Sequence, residues 1–329
     1  MNFLIDGQER RFADLVQTIR EGNALAFVGS GVSKHAGYPL WGELVEQLAQ
    51  CANVDLTSED QDTDGSRQIQ IVQECKDRLT EPRYFDELRR IFDPASREPF
   101  SLMHVQILEM PFASFPTTNV DNCHVLAKDN VRQGSIASEW DVFPVFLIDR
   151  LRERRILYLH GKIENDDRIR SVVLARSEYQ VAYNPNGGAA REFLLYALRR
   201  FDCVFIGYSM SDAFMSKVME EAAAVLRLEQ QELVQQGRKD FREPRHFAIL
   251  PRHMKADGST YVPKNIGRLL SDKEIELREL QNQERETRLE KLRITPLYHR
   301  VVHENYASLN QLVYLLNRQL VTDIRQVPT

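Results

Sequence analysis

The sequence predicts an α/β fold: a mostly parallel sheet with helices on both faces, plus a helical insert and a C-terminal helical region. Three features point there. Short apolar runs recur along the chain and read as strands, and stretches with helical spacing separate most of them. The run Ala24–Val28 is apolar without alternation and ends at glycine, the pattern of a strand buried on both faces. Strands alternating with helices in this way build a parallel sheet covered on both sides. The 329 residues are 43% hydrophobic and 28% charged, which excludes a disordered, collagen-like or disulfide-stapled class.

Taken in order, residues 11–20 place apolar side chains at helical spacing until Glu21-Gly22 breaks the pattern. The strand Ala24–Val28 follows, and helical periodicity returns at 41–48. Residues 54–66 are polar and acidic and are expected as an exposed loop. Residues 67–95 are expected as helical, with Ile69, Ile71, Val72, Leu79, Phe85, Leu88 and Ile91 on the apolar side. Further strands are expected at 112–116, 156–159, 203–207, 246–251 and 294–298, and further helices at 193–200 and 213–234. Residues 271–293 are densely charged, with acid–base pairs at helical spacing, and are expected as a solvated helix. Residues 309–320 are amphipathic and are expected to pack back on the sheet.

Lys and Arg number 43 against 48 Asp and Glu, a formal net charge of -5 that does not suit a general nucleic-acid binder. Direct nucleic-acid binding is therefore not expected. No apolar run reaches the roughly 18 residues of a membrane span. The first residues lack the apolar core of a secretory signal, so a cytoplasmic location is expected. The four cysteines, Cys51, Cys75, Cys123 and Cys203, form no CxxC pair. They are expected as buried or half-buried thiols, and no metal is expected.

Four motifs carry chemistry, each where an apolar strand run ends. Val28-Gly29-Ser30-Gly31-Val32-Ser33 has glycines that would let backbone approach a pyrophosphate. Lys34 stands where the dinucleotide fingerprint has its third glycine, and a tight strand–helix turn without ligand reads the same. Thr117-Thr118-Asn119-Val120-Asp121 equally fits a turn that caps a helix. Leu157-Tyr158-Leu159-His160-Gly161 stops a strand at a histidine, and Gly207-Tyr208-Ser209-Met210-Ser211-Asp212 supplies small polar groups for sugar or phosphate. Ligands of open parallel sheets bind just beyond the carboxyl ends of the strands, where all four motifs fall.

In this order the motifs resemble the sirtuin superfamily, specifically its zinc-less bacterial SIR2-like branch, over roughly residues 12–250. Two departures from the lysine deacylases point to that branch. No four-cysteine zinc module follows His160-Gly161, and Pro39 continues into Leu40-Trp41-Gly42 instead of an Asp-Phe-Arg segment. The resemblance implies a Rossmann-like NAD-binding domain over 1–255, with a helical insert at about 54–100. The extension 256–329 would complete the fold or contact partners. The activity implied is that of an NAD+ glycohydrolase, a gated effector of anti-phage abortive infection with NAD+ as substrate and no metal. Carried over, the catalytic residues are Asn119 and His160, supported by Asp121. Gly29, Ser30, Gly31, Ser33 and Thr118 would contact pyrophosphate or ribose, and Gly207, Ser209 and Asp212 the adenosine half. A histidine at its ordinary pKa near 6.5 would take a proton at neutral pH.

The chain has no Walker A motif. The gate is therefore expected in a homo-oligomer or a separately encoded partner, with 67–95 and 271–293 as contact surfaces. The alternative is a catalytically weak subunit that binds NAD or ADP-ribose and assembles or senses.

Overall fold

The expected apolar runs become strands β1 (Ala24–Val28), β2 (Phe115–Thr117), β4 (Ile156–Tyr158), β5 (Asp202–Ile206), β6 (His246–Met254) and β7 (Ile294–Val302). A further two-residue strand, β3 (Asp141–Val142), joins them at one edge. The order is β3-β4-β2-β1-β5-β6-β7, and every neighbouring pair is parallel, a Rossmann-like α/β sheet. This computed structural model describes residues 7–56, 65–132, 134–163, 172–238, 242–254, 271–302 and 306–322.

The first six helices are α1 (Glu9–Arg20), α2 (Ser30–Ser33), α3 (Trp41–Ala52), α4 (Ser66–Arg78), α5 (Glu81–Ile91) and α6 (Leu102–Glu109). The remainder are α7 (Cys123–Ala127), α8 (Arg176–Ala182), α9 (Ala189–Arg200), α10 (Ala213–Gln235), α11 (Asp272–Lys291) and α12 (Ala307–Thr322). All five residues of β1 are buried, and the pleat sends them to two different cores. Leu25 and Phe27 pack with Phe193 and Leu194 of α9 and Met215 of α10. Ala24, Ala26 and Val28 pack with Leu15 and Ile19 of α1, Leu108 of α6 and Leu312 and Leu316 of α12. A continuous apolar run, not an alternating one, is what a strand between two cores needs.

Two regions differ in part from the sequence reading. Residues 67–95 are two helices and a short tail, because Thr80 and Pro82 start α5 afresh after α4 has ended. With α3 these helices form a small core of their own around Leu48, Val72, Tyr84 and Leu88. The expected acidic loop falls largely on 57–64, outside the described residues. The charged segment is a helix, α11, exposed over most of its length as expected, but it carries one buried stripe. Ile275, Asn282 and Leu289, seven residues apart, are buried, and the helix lies over β6 and β7. β7 and α12, both in the expected C-terminal extension, belong to the same sheet and core as the rest.

The unexpected edge strand is held by a buried ion pair. Arg155, beside β4, places its guanidinium 2.6 Å from Oδ1 of Asp141, and Oδ2 accepts from the Leu147 N–H at 2.9 Å. Both side chains are buried, so each charge depends on the other. Among the described residues no helix is long and apolar enough to cross a membrane.

Candidate active site

The cleft is built first from glycines. The Gly29 N–H donates to Ile206 O and the Gly31 N–H to Gly207 O, each at 2.9 Å, which locks the turn after β1 against the turn after β5. A Cβ on Gly29 would lie 2.5 Å from Gly207 O, and one on Gly207 would lie 2.7 Å from Val32 N. Gly207 also has φ +64, the left-handed region where glycine is at ease. These three glycines thus let the two turns approach each other closely.

Asn119 follows β2 on a turn that Thr117 braces. The Thr117 hydroxyl donates to Val28 O at 2.8 Å and accepts the Asn119 N–H at 3.0 Å. The Asn119 side chain is buried, and its Nδ2 donates to Ser33 Oγ at 2.9 Å. Ser33 Oγ also stands 3.3 Å from His104 Nε2, and the Ser101 N–H donates to His104 Nδ1 at 3.1 Å. Burial holds His104 neutral, its pKa well below the ordinary value. A neutral ring that accepts at Nδ1 carries its proton on Nε2, so His104 donates to Ser33. Ser33 therefore receives two donors, and the amide of Asn119 is fixed with its nitrogen inward. Asp121 accepts the Cys123 N–H at 3.0 Å through Oδ1, opening α7.

His160 stands just past β4, buried, with Nε2 2.7 Å from the Tyr183 hydroxyl. Its ring meets Tyr179 and Tyr183 edge-on at 5.1 and 5.8 Å, and Phe214 packs against both tyrosines. Burial in this aromatic box pushes its pKa down to about 3, far from the 6.5 expected of an open histidine. The imidazole is accordingly neutral at pH 7. Asp212 caps α10 by accepting the Met215 N–H at 2.9 Å, and its other oxygen accepts the Tyr179 hydroxyl at 3.0 Å.

Asn119, Asp121 and His160 line one cavity of about 100 Å³, together with Thr118 and Asp212. It continues into a second of about 500 Å³, and Ser30, Gly207 and Ser209 line both. Gly31 lines only the larger one. Gly29 and Ser33 line neither, because one packs turns together and the other holds Asn119. The segment 172–183 supplies Tyr179 and Tyr183, which no motif flagged; their spacing of four on one helix face was the available signal. His104, Asp121 and Cys123 bring their donor atoms within 4.8 Å of one another. His104 and Asp121 are already engaged as described, and burial and Asp121 hold the Cys123 thiol protonated.

With this geometry in place, comparison with known proteins is informative. The family described as SIR2-like domain matches residues 113–277, half of the chain. Defense-associated sirtuin 2 of Bacillus subtilis is 27% identical over 202 residues, 60% of this chain and 19% of that protein. NAD(+) hydrolase ThsA of Acinetobacter baumannii strain 532279 is 31% identical over 125 residues, 38% of this chain and 24% of its own. ThsA of Bacillus cereus strain MSX-D12 is 21% identical over 234 residues, 70% of this chain and 46% of its own. The chain therefore spans less than half the length of each of these relatives.

Proposed function

Because this chain belongs to the SIR2-like domain family, we propose that it is an NAD+ glycohydrolase, turning NAD+ and water into nicotinamide, ADP-ribose and a proton. Its biological role on this reading is that of a gated effector of anti-phage abortive infection. Relatives named as NAD(+) hydrolases and as a defense-associated sirtuin support the substrate and the setting. The single observation that carries the proposal is the convergence of Asn119 and His160, from the ends of two different strands, on one cavity.

The bond from ribose C1 to the pyridinium nitrogen breaks with its electron pair moving onto nitrogen. Nicotinamide then leaves neutral and needs no acid. The demands are an oxocarbenium-like charge at C1 and a water held in line with it. Asn119 suits the second demand: its nitrogen is anchored on Ser33, so Oδ1 is left to accept from the water or a ribose hydroxyl. His160 is neutral and so in its base form, ready to receive the proton that the water gives up as its oxygen bonds to C1. Asp121 and Asp212 shape the wall by capping α7 and α10. Gating belongs to self-assembly or to a separately encoded partner, for which the insert 67–95 and the outer face of α11 are the surfaces on offer.

A second reading has one observation in its favour. A base with a pKa of about 3 is a poor proton acceptor, which suits a subunit that binds NAD or ADP-ribose without consuming it. Chromatography of NAD+ incubated with the chain, alone and co-expressed with its genomic neighbours, separates the two. The hydrolase releases nicotinamide and ADP-ribose in equal amounts, and His160→Ala slows release by about 10²–10⁴-fold. Calorimetric binding of NAD+ with no release under either condition would establish the binding subunit instead.

A further inference from the structure

The larger cavity opens from the smaller one and is walled on its far side by α11, the helix that the sequence presented as a solvated rod. Arg278, Asn282 and Arg285 of α11 face into it, joined by His253 of β6 and His299 of β7. No aspartate or glutamate is among its described lining residues. Arg278 Nη1 lies 2.7 Å from His253 Nε2, and His253 is held neutral by burial and by the two guanidinium groups. Arg285 is largely desolvated, and the neighbouring Arg288 adds to the strain on its charge. Asn282 is 8% exposed, yet its Nδ2 has no hydrogen-bond partner among the described residues. A buried amide donor without an acceptor is costly unless a ligand supplies one.

The ribose of an unphosphorylated dinucleotide is commonly held through its 2′-hydroxyl by a carboxylate, whereas arginine accommodates a 2′-phosphate. The wall here offers two guanidinium groups and a free amide nitrogen and no described carboxylate. We propose that this cavity receives the adenosine end of a 2′-phosphorylated dinucleotide, so that the chain hydrolyses NADP+ as well as NAD+, with Arg278 and Arg285 on the phosphate. This rests on the smaller cavity holding the nicotinamide end, and it concerns only how the other end is recognised. The reaction balances as for NAD+: NADP+ and water give nicotinamide, 2′-phospho-ADP-ribose and a proton.

Two measurements decide it. In a preparation of the full chain that turns over NAD+, kcat/KM for NADP+ should equal or exceed that for NAD+. The NADP+/NAD+ ratio should then fall about tenfold in Arg285→Ala, as expected for loss of one charge-assisted contact. NAD+ turnover with NADP+ rejected would overturn the proposal, as would a ratio unchanged in the variant. Binding of adenosine 2′,5′-bisphosphate against AMP, by calorimetry on the wild-type chain, does not depend on hydrolysis at all. Tighter binding of the bisphosphate by about tenfold supports the phosphate site, and equal binding overturns it. Tight bisphosphate binding alongside rejection of NADP+ would mean that a separate phosphorylated nucleotide uses the cavity, and it too would overturn NADP+ as substrate. Failure of both dinucleotides to react, with the bisphosphate still preferred, would sink the hydrolase reading and leave the phosphate site standing.

Discussion

Replacement of Asn119 by alanine is expected to lower NAD+ turnover by at least about 10²-fold, the cost of a misplaced reacting group, while the chain stays folded. The amide is buried, but it makes one side-chain hydrogen bond, to Ser33, so its loss costs stability only about 1 kcal/mol. Ser33→Ala is the matched comparison. It leaves Oδ1 in place and removes the anchor that orients it, so turnover should fall by about tenfold, less than for Asn119→Ala. Nucleotide binding should survive in both variants, since the larger cavity is untouched. Turnover by Asn119→Ala within twofold of wild type would remove Asn119 from the reaction.

The second large effect is on acid stability. His160 and His299 have their pKa pushed down to about 3 by burial, and His124 and His246 to about 4. A histidine that must be neutral when folded, but has its ordinary 6.5 when unfolded, contributes stability that is fully present above about pH 6.5. That contribution is lost as pH falls toward the folded value, because the unfolded chain binds the proton first. At pH 4 each such group has given up on the order of 3 kcal/mol, and four together approach the ~5–15 kcal/mol that holds a typical domain. Urea-unfolding free energies should therefore fall steeply from pH 6.5 downward and vanish above pH 4. A free energy flat between pH 7 and 5 would show that these rings are not confined to the neutral form.

Much of this was legible because a buried parallel strand has an unmistakable pattern and because ligand motifs sit at strand ends. Six of the seven strands fell within a few residues of their expected runs. The seventh, Asp141–Val142, is two residues long and is held by the buried Arg155–Asp141 pair, a long-range contact that no local pattern announces. α6 was passed over because its core, Met103–Leu108, is buried on all sides and so lacks amphipathic spacing. At the site, Asn119 and His160 were readable from their motifs. The environment that sets their chemistry was not, since Ser33 and Tyr183 reach them across 86 and 23 residues of chain, and His104 reaches Ser33 across 71. α11 misled for a physical reason: the side it turns to the cavity is itself polar, Arg278, Asn282 and Arg285, and its only buried apolar residues are Ile275 and Leu289. A helix that lines a polar cavity and a helix that faces water share one composition.

The most direct measurement is the structure of the Asn119→Ala chain with NAD+ bound, in which slow turnover preserves the intact dinucleotide. The expected result places the nicotinamide ribose in the small cavity, with C1 facing the position of the lost Asn119 amide and His160 within reach, and the adenosine under α11. A dinucleotide lying the other way round, or bound away from the ends of β2 and β4, would contradict the assignment of this cleft as the place where the glycosidic bond is broken.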